Sequence, residues 1–179
     1  MKRPKLLFIH IPKNAGMTVK RVLAGGIHHG HKRLTEYPKT MRSKCLTICV
    51  VRNPWERLIS WYFYCLGMNA SLCPWAKEYS NFKDFCLNVE SHPKFFRPQT
   101  WWTKDEDNEV NIDLVIRHEN FRQDMKKILN LVKIPHLNKS KHEVYTEYYD
   151  NETIAMVEKV YQDDIRAFGY SYPKRIFMI

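Results

Sequence analysis

The sequence predicts an α/β fold with a central parallel sheet covered on both faces, and three observations carry that expectation. Residues 5–11 are an apolar run of strand length, and residues 46–51 are apolar on both faces, as a strand buried in a parallel sheet is. Each leads through a turn into a stretch whose apolar residues recur at helical spacing. No internal repeat or low-complexity segment breaks the alternation, and 179 residues suffice for one sizeable core, so a single domain over 1–179 is expected.

The elements follow in order. Lys5 to Ile11 reads as a strand closed by Pro12, and a helix starts near Gly16 and runs to about Ala24, stopped by Gly25 and Gly26. Residues 27–44, rich in His, Lys, Arg and turn formers, read as an irregular excursion. Leu46 to Val51 is a second buried strand ending at Arg52-Asn53-Pro54. From Pro54 to Leu66, Trp55, Leu58, Ile59, Tyr62 and Leu66 form the stripe of a helix packed on a sheet, with Glu56, Ser60 and Tyr64 on another face. A short helix at 81–89, a third strand at 112–116 and a helix at 120–132 ended by Pro135 come next. Asp150 caps a last helix that carries Ile154, Val157, Tyr161, Ile165 and Phe168 on one side and stops at Gly169.

Charge narrows the partner. Lys and Arg number 29 against 19 Asp and Glu, a net +10, so the field outside the protein attracts anions. At 44% hydrophobic and 13% aromatic residues the chain is too apolar for a disordered basic tail. The five cysteines, 45, 49, 65, 73 and 86, are odd in number and lack a CxxC pair, which argues against a disulfide framework and a zinc ribbon. With no signal-peptide core and no 18-residue apolar stretch, the expectation is a soluble protein of a reducing, cytoplasmic compartment, without a membrane segment.

Ligands of open α/β sheets sit beyond the carboxyl ends of strands, so the first two strand-to-helix loops hold the candidate chemistry. The first reads Ile11-Pro12-Lys13-Asn14-Ala15-Gly16-Met17-Thr18. Small residues at 15 and 16 admit backbone donors, the helix start adds free N–H groups, and Lys13 adds a cation: the parts of a phosphate cradle. A plain strand-turn-helix with a surface lysine is the bland alternative. The Walker pattern GxxxxGK[ST] is absent, which counts against an ATPase or GTPase. In the second loop, Arg52 ends a buried strand, where its guanidinium offers a planar fork to a phosphate. Ser60 stands two turns into the next helix. The competing reading pairs Arg52 with a carboxylate and leaves Ser60 solvated.

Residues 8–19, FIHIPKNAGMTV, resemble the 5′-phosphosulfate loop of sulfotransferases, and residues 50–63, VVRNPWERLISWYF, resemble their 3′-phosphate motif. The pattern is most similar to carbohydrate sulfotransferases, the group that includes the heparan sulfate 2-O-sulfotransferases and small bacterial and viral cousins. It continues through RPQ (97–99), IRHENF (116–121), PHLNKS (135–140) and YQDDIRAFGY (161–170). The resemblance implies a P-loop-like three-layer sandwich and 3′-phosphoadenosine 5′-phosphosulfate as donor. It implies that Lys13, with Asn14, Ala15, Gly16, Met17 and Thr18, holds the 5′-phosphosulfate, and that Arg52 and Ser60 hold the 3′-phosphate. Met17 departs from the family, which usually carries Thr or Ser there.

Transfer of a sulfuryl group to a hydroxyl needs a base for the acceptor proton and a cation near the leaving phosphate. Lys13 suits the second task and histidine the first. The segment HHGHKRL (28–34) resembles a 2-O-sulfotransferase stretch with two histidines flanking a glycine, which implies His31 as general base and His29 as its helper or a substrate contact. A solvated basic loop and a metal site are the alternatives; no clear Cys or carboxylate partner supports a metal, and none is expected. Lys32, Arg33, Lys39, Arg42, Lys94 and Arg97 are candidates to line a groove for an anionic glycan. Gln99, beside the Trp101-Trp102 pair, is a candidate acceptor contact, with core packing of the tryptophans as the alternative. The loop 138–142 is a candidate lid over the nucleotide. Two other functions compete: a non-catalytic basic module for acidic glycans or nucleic acid, nucleic acid not being the expected partner, and a P-loop-like kinase.

Overall fold

A computed structural model of the chain describes residues 5–23, 26–67, 71–94, 96–129 and 144–173. In chain order they form β1 (Lys5–Ile9), α1 (Gly16–Val22), α2 (Lys39–Arg42), β2 (Cys45–Val51), α3 (Pro54–Leu66), α4 (Phe82–Leu87), α5 (Thr100–Thr103), β3 (Leu114–Arg117), α6 (Phe121–Leu129), α7 (Asn151–Val160) and α8 (Gln162–Phe168), with short 3-10 turns between. The described residues make an α/β protein with a parallel sheet. The chain folds as two compact units, each made of two segments: Met1–Arg52 with Pro98–Lys139, and Asn53–Arg97 with Ser140–Ile179.

The first unit holds the sheet, in the order β1-β2-β3, all parallel. Phe8 of β1 lies level with Ile48, and Val50 with Ile116, so these four share one face. They form one core cluster with Val19 and Leu23 from α1 and its end, and with Phe121 and Met125 of α6. Leu7, Ile9, Cys49 and Val51, alternating with them, are buried as well, as the two-sided apolar runs require. Ile27 extends the pairing along β1: its N–H donates to the Leu6 carbonyl at 2.8 Å and its carbonyl accepts from the Phe8 N–H at 2.9 Å. Asp113 sets where β3 begins. Its Oδ2 accepts from the Thr47 N–H at 2.7 Å and Oγ1 at 2.6 Å, while its own N–H donates to Thr47 Oγ1 at 2.9 Å. That clamp holds 112 and 113 outside the ladder and starts the strand at Leu114, two residues later than the apolar run predicts.

The second unit is helical. Asn53 caps α3, its Oδ1 accepting from the N–H groups of Trp55 at 3.0 Å and Glu56 at 3.3 Å, with Pro54 at the first helical position. The helix carries Trp55, Leu58, Ile59, Trp61 and Cys65 into an aromatic core with Phe82, Phe85, Phe96, Tyr149 and Tyr161. Ser60 and Arg57 of α3 are buried too, so its burial reaches beyond the single stripe predicted. Asp150 caps α7 as predicted, with Oδ1 accepting from the Thr153 N–H at 2.9 Å, and Lys83 pairs with both Asp150 and Glu152. The long last helix is in fact two: the chain breaks at Tyr161, φ −112° and ψ 25°, and resumes as α8, which ends at left-handed Gly169 as predicted.

The five cysteines form no disulfide, and burial pushes the Cys49 thiol up to about 12, which removes it as a nucleophile. Among the described residues no helix is long and apolar enough to cross a membrane. The candidate lid 138–142 and the segment 130–137, with Pro135, lie outside the described residues, as does Gly25.

Candidate active site

The loop between β1 and α1 is bent in a way L-residues rarely adopt. Lys13 has φ 68° and Ala15 has φ 57°, both left-handed and both lacking the freedom of glycine. Such conformations cost about 1–3 kcal/mol each and persist where surrounding bonds hold them. Ala15 stands at the start of α1, where no side chain caps the first amides.

Asn14, between the two strained residues, is the bolt. Its Nδ2 donates to the Val50 carbonyl at 2.7 Å and to Gln99 Oε1 at 2.6 Å. Gln99 in turn grips Arg52: Oε1 accepts from the Arg52 N–H and Nε2 donates to the Arg52 carbonyl, both at 2.8 Å. Gln99 is fully buried in this role, so direct contact with an acceptor would require these bonds to break. Arg52 completes the ring by donating from Nη1 to the Lys13 carbonyl at 3.2 Å. The Arg52 guanidinium and the backbone of Lys13 therefore meet within one unit, over a brace of neutral amides.

The histidine pairing turns on a residue the sequence reading passes over. His10, one residue after β1, lies on the same side of the strand as Phe8 and stacks on it, with ring centroids 5.5 Å apart. Its other neighbour is His31, at 4.0 Å between centroids. His31 Nδ1 lies 3.0 Å from the His10 carbonyl. A carbonyl only accepts, so Nδ1 carries the hydrogen and Nε2 is the lone-pair nitrogen of neutral His31. Burial holds the His31 pKa below the usual histidine value, with Lys20 acting in the same sense and the bond to the His10 carbonyl against it. Burial thus favours the neutral form of the His31 ring. A signal for His10 exists in the sequence: it is the one polar residue inside the apolar run 6–11.

The remaining predicted residues are placed as follows. His29 faces Tyr37, ring centroids 6.0 Å apart, and its N–H donates to the Tyr37 hydroxyl at 3.3 Å. Gly16 and Thr18 are buried on α1, whereas Met17 is 59% exposed and fills no core position. Ser60 is buried on α3 in the second unit. Arg97, also there, lends its carbonyl to Arg57 Nη1 at 3.0 Å. Arg33 lies 4.4 Å above the Trp101 ring and donates from Nε to the Trp101 carbonyl at 3.0 Å. Trp102 packs inward, its ring edge-on to His31 at 6.1 Å.

A family model, that of the sulfotransferase family, matches residues 1–171. The chain belongs to the sulfotransferase family. No curated protein and no solved structure matches it. As a sulfotransferase it acts on a hydroxylated acceptor, and membership takes precedence over the kinase and non-catalytic alternatives.

Proposed function

We propose that this sulfotransferase moves a sulfuryl group from 3′-phosphoadenosine 5′-phosphosulfate to a hydroxyl of a carbohydrate, by in-line displacement. The observation that carries the reading is the contact between Arg52 and the Lys13 carbonyl, which joins the two phosphate-recognising loops. The donor supplies an activated sulfuryl group on a phosphate leaving group. Lys13 and the amides of Ala15 to Thr18 hold its 5′ end, and Arg52 holds the 3′-phosphate. Exposed Met17 leaves the backbone donors of its turn in place, so the lost hydroxyl does not remove the cradle. His31 takes the acceptor proton on Nε2 while the acceptor oxygen bonds to sulfur. Lys13 stabilises the charge left on the bridging phosphate oxygen as the old sulfur–oxygen bond breaks.

Gln99 acts here through Arg52 and Asn14 rather than on the acceptor. Arg33, stacked on Trp101, provides a cation with an aromatic face, a combination suited to an anionic glycan. His29 remains an acceptor contact in this reading.

The test is incubation with radiolabelled donor and a panel of glycan, peptide and small-alcohol acceptors. Label moves to a glycan, and His31→Ala lowers the rate by about 10²–10⁴-fold, the usual contribution of a general base. Thermal stabilisation by 3′-phosphoadenosine 5′-phosphate disappears in Arg52→Ala. Undiminished transfer by His31→Ala would remove His31 from its role, and stabilisation by ATP with magnesium alone would overturn the donor.

A further inference from the structure

His10 is chemically conspicuous and unassigned. The residue is 6% exposed, its ring is packed between Phe8 and His31, and its Nδ1 is buried without a hydrogen-bond partner among the described residues. A buried nitrogen left unpaired is costly, and a leucine or phenylalanine at this strand end would avoid the cost. The ring also touches the donor loop. A Cβ built on Gly16 would lie 1.7 Å from His10 Nε2 and 2.1 Å from Cδ2, so the glycine at the start of α1 leaves room for this imidazole. One ring therefore contacts both the loop assigned to the phosphosulfate and the residue assigned as base.

We propose that His10 is a positioning residue for sulfuryl transfer: its imidazole, seated against Gly16 and stacked on His31, fixes the base at a set distance from the phosphosulfate loop. The proposal rests on the reading of His31 as base. The His10 carbonyl sets the tautomer of His31, and the His10 ring sets its plane, so one residue governs both orientation and protonation site. A second aromatic such as Phe8 would supply a stacking face alone. Imidazole is smaller than phenyl, which suits the narrow space over Gly16.

Charge follows the same arrangement. The groups acting on His10 are His31, Lys20 and His28, all cationic when protonated, with the Gly30 backbone opposing them. Burial is the largest influence, and together they bring the His10 pKa down to about 3. His10 is therefore neutral across the working range and places no positive charge beside the base.

The test combines kinetics with nitrogen-15 NMR of the histidine rings. In the wild type, His31 shows the Nδ1–H tautomer and its ring gives cross-peaks to His10. In His10→Ala, kcat falls by about 10²-fold, the scale of a 1 Å misplacement, while KM for the donor changes little. The acid limb of the pH–rate profile moves up, because His31 loses a burying neighbour and its pKa returns toward 6.5. Gly16→Ala, which pushes the same ring from the other side, lowers kcat in parallel.

A folded His10→Ala enzyme with unchanged kcat and an unchanged acid limb would overturn the proposal. So would equal losses in kcat and in product-nucleotide binding, which would make His10 a loop-packing residue only. If His10→Ala does not fold, the wild-type spectrum decides: absence of the Nδ1–H tautomer or of the His10–His31 cross-peaks refutes the arrangement. Failure of the base assignment is a separate result, namely full activity in His31→Ala.

Discussion

Gly16→Ala is the perturbation whose outcome the geometry constrains most closely. At an ordinary helical position alanine stabilises relative to glycine by up to about 1 kcal/mol. Here the added methyl would lie 1.7 Å from His10 Nε2, where ordinary carbon contacts are about 3.5–4.0 Å. The imidazole cannot swing into solvent without leaving Phe8 and His31, since it is buried against both. Overpacking of this kind costs about 1–3 kcal/mol. Set against the full propensity gain, the net loss is up to about 2 kcal/mol, or up to roughly 8 °C in melting temperature for a chain of this size.

The assay is a double-mutant cycle by thermal or urea unfolding over wild type, Gly16→Ala, His10→Ala and the pair. With the ring removed, the methyl at 16 has space and keeps only its helical advantage. The sign of Gly16→Ala should therefore reverse in the His10→Ala background, with a coupling of about 1–3 kcal/mol. A Gly16→Ala protein that melts at or above the wild-type temperature would refute the packing argument. So would additive effects, because they would mean that the two positions do not touch.

Two further outcomes follow from the same site. His10, with its pKa depressed to about 3, binds no proton between pH 6.5 and that value while the unfolded chain does, so stability rises with pH across that window and falls on acidification. The slope is about 1.4 kcal/mol per pH unit at most, and it should flatten in His10→Asn; equal urea midpoints for both proteins from pH 6.5 to 4 would contradict it. Gln99→Ala removes the partner of the Arg52 N–H, of the Arg52 carbonyl and of one Asn14 Nδ2 hydrogen in a buried site, the other hydrogen keeping the Val50 carbonyl, at about 2–4 kcal/mol, and calorimetry should show a melting temperature lower by roughly 4–16 °C; a change under 2 °C would show that water replaces the amide.

What the sequence discloses depends on whether the cause is local. The strands were legible because their residues are apolar on both faces, and α3 because Asn53, Pro54 and its stripe act within a few residues of one another. The break at Tyr161 was not, because Val157, Tyr161 and Phe168 are all buried and the apolar rhythm runs through a backbone that does not. Hydropathy records which side faces inward, and two short helices can share a side.

The site divides on the same principle. Lys13 and Arg52 stood out as cations just past strands, a local pattern, whereas the bond from Asn14 to Gln99 spans 85 positions and only the fold brings the two together. Asn14 looked like a donor contact because it sits in the first loop, and Gln99 like an acceptor contact because it stands beside the Trp101-Trp102 pair. Their amides instead face inward and bond the Val50 carbonyl, the Arg52 backbone and each other. His10 extends that logic to the base: set in an apolar run, it reads as core, and it is core, but its ring is shared by the loop and by His31. Inner residues of this kind decide catalytic geometry without touching substrate, so the rate and the pH profile will report on them where donor binding does not.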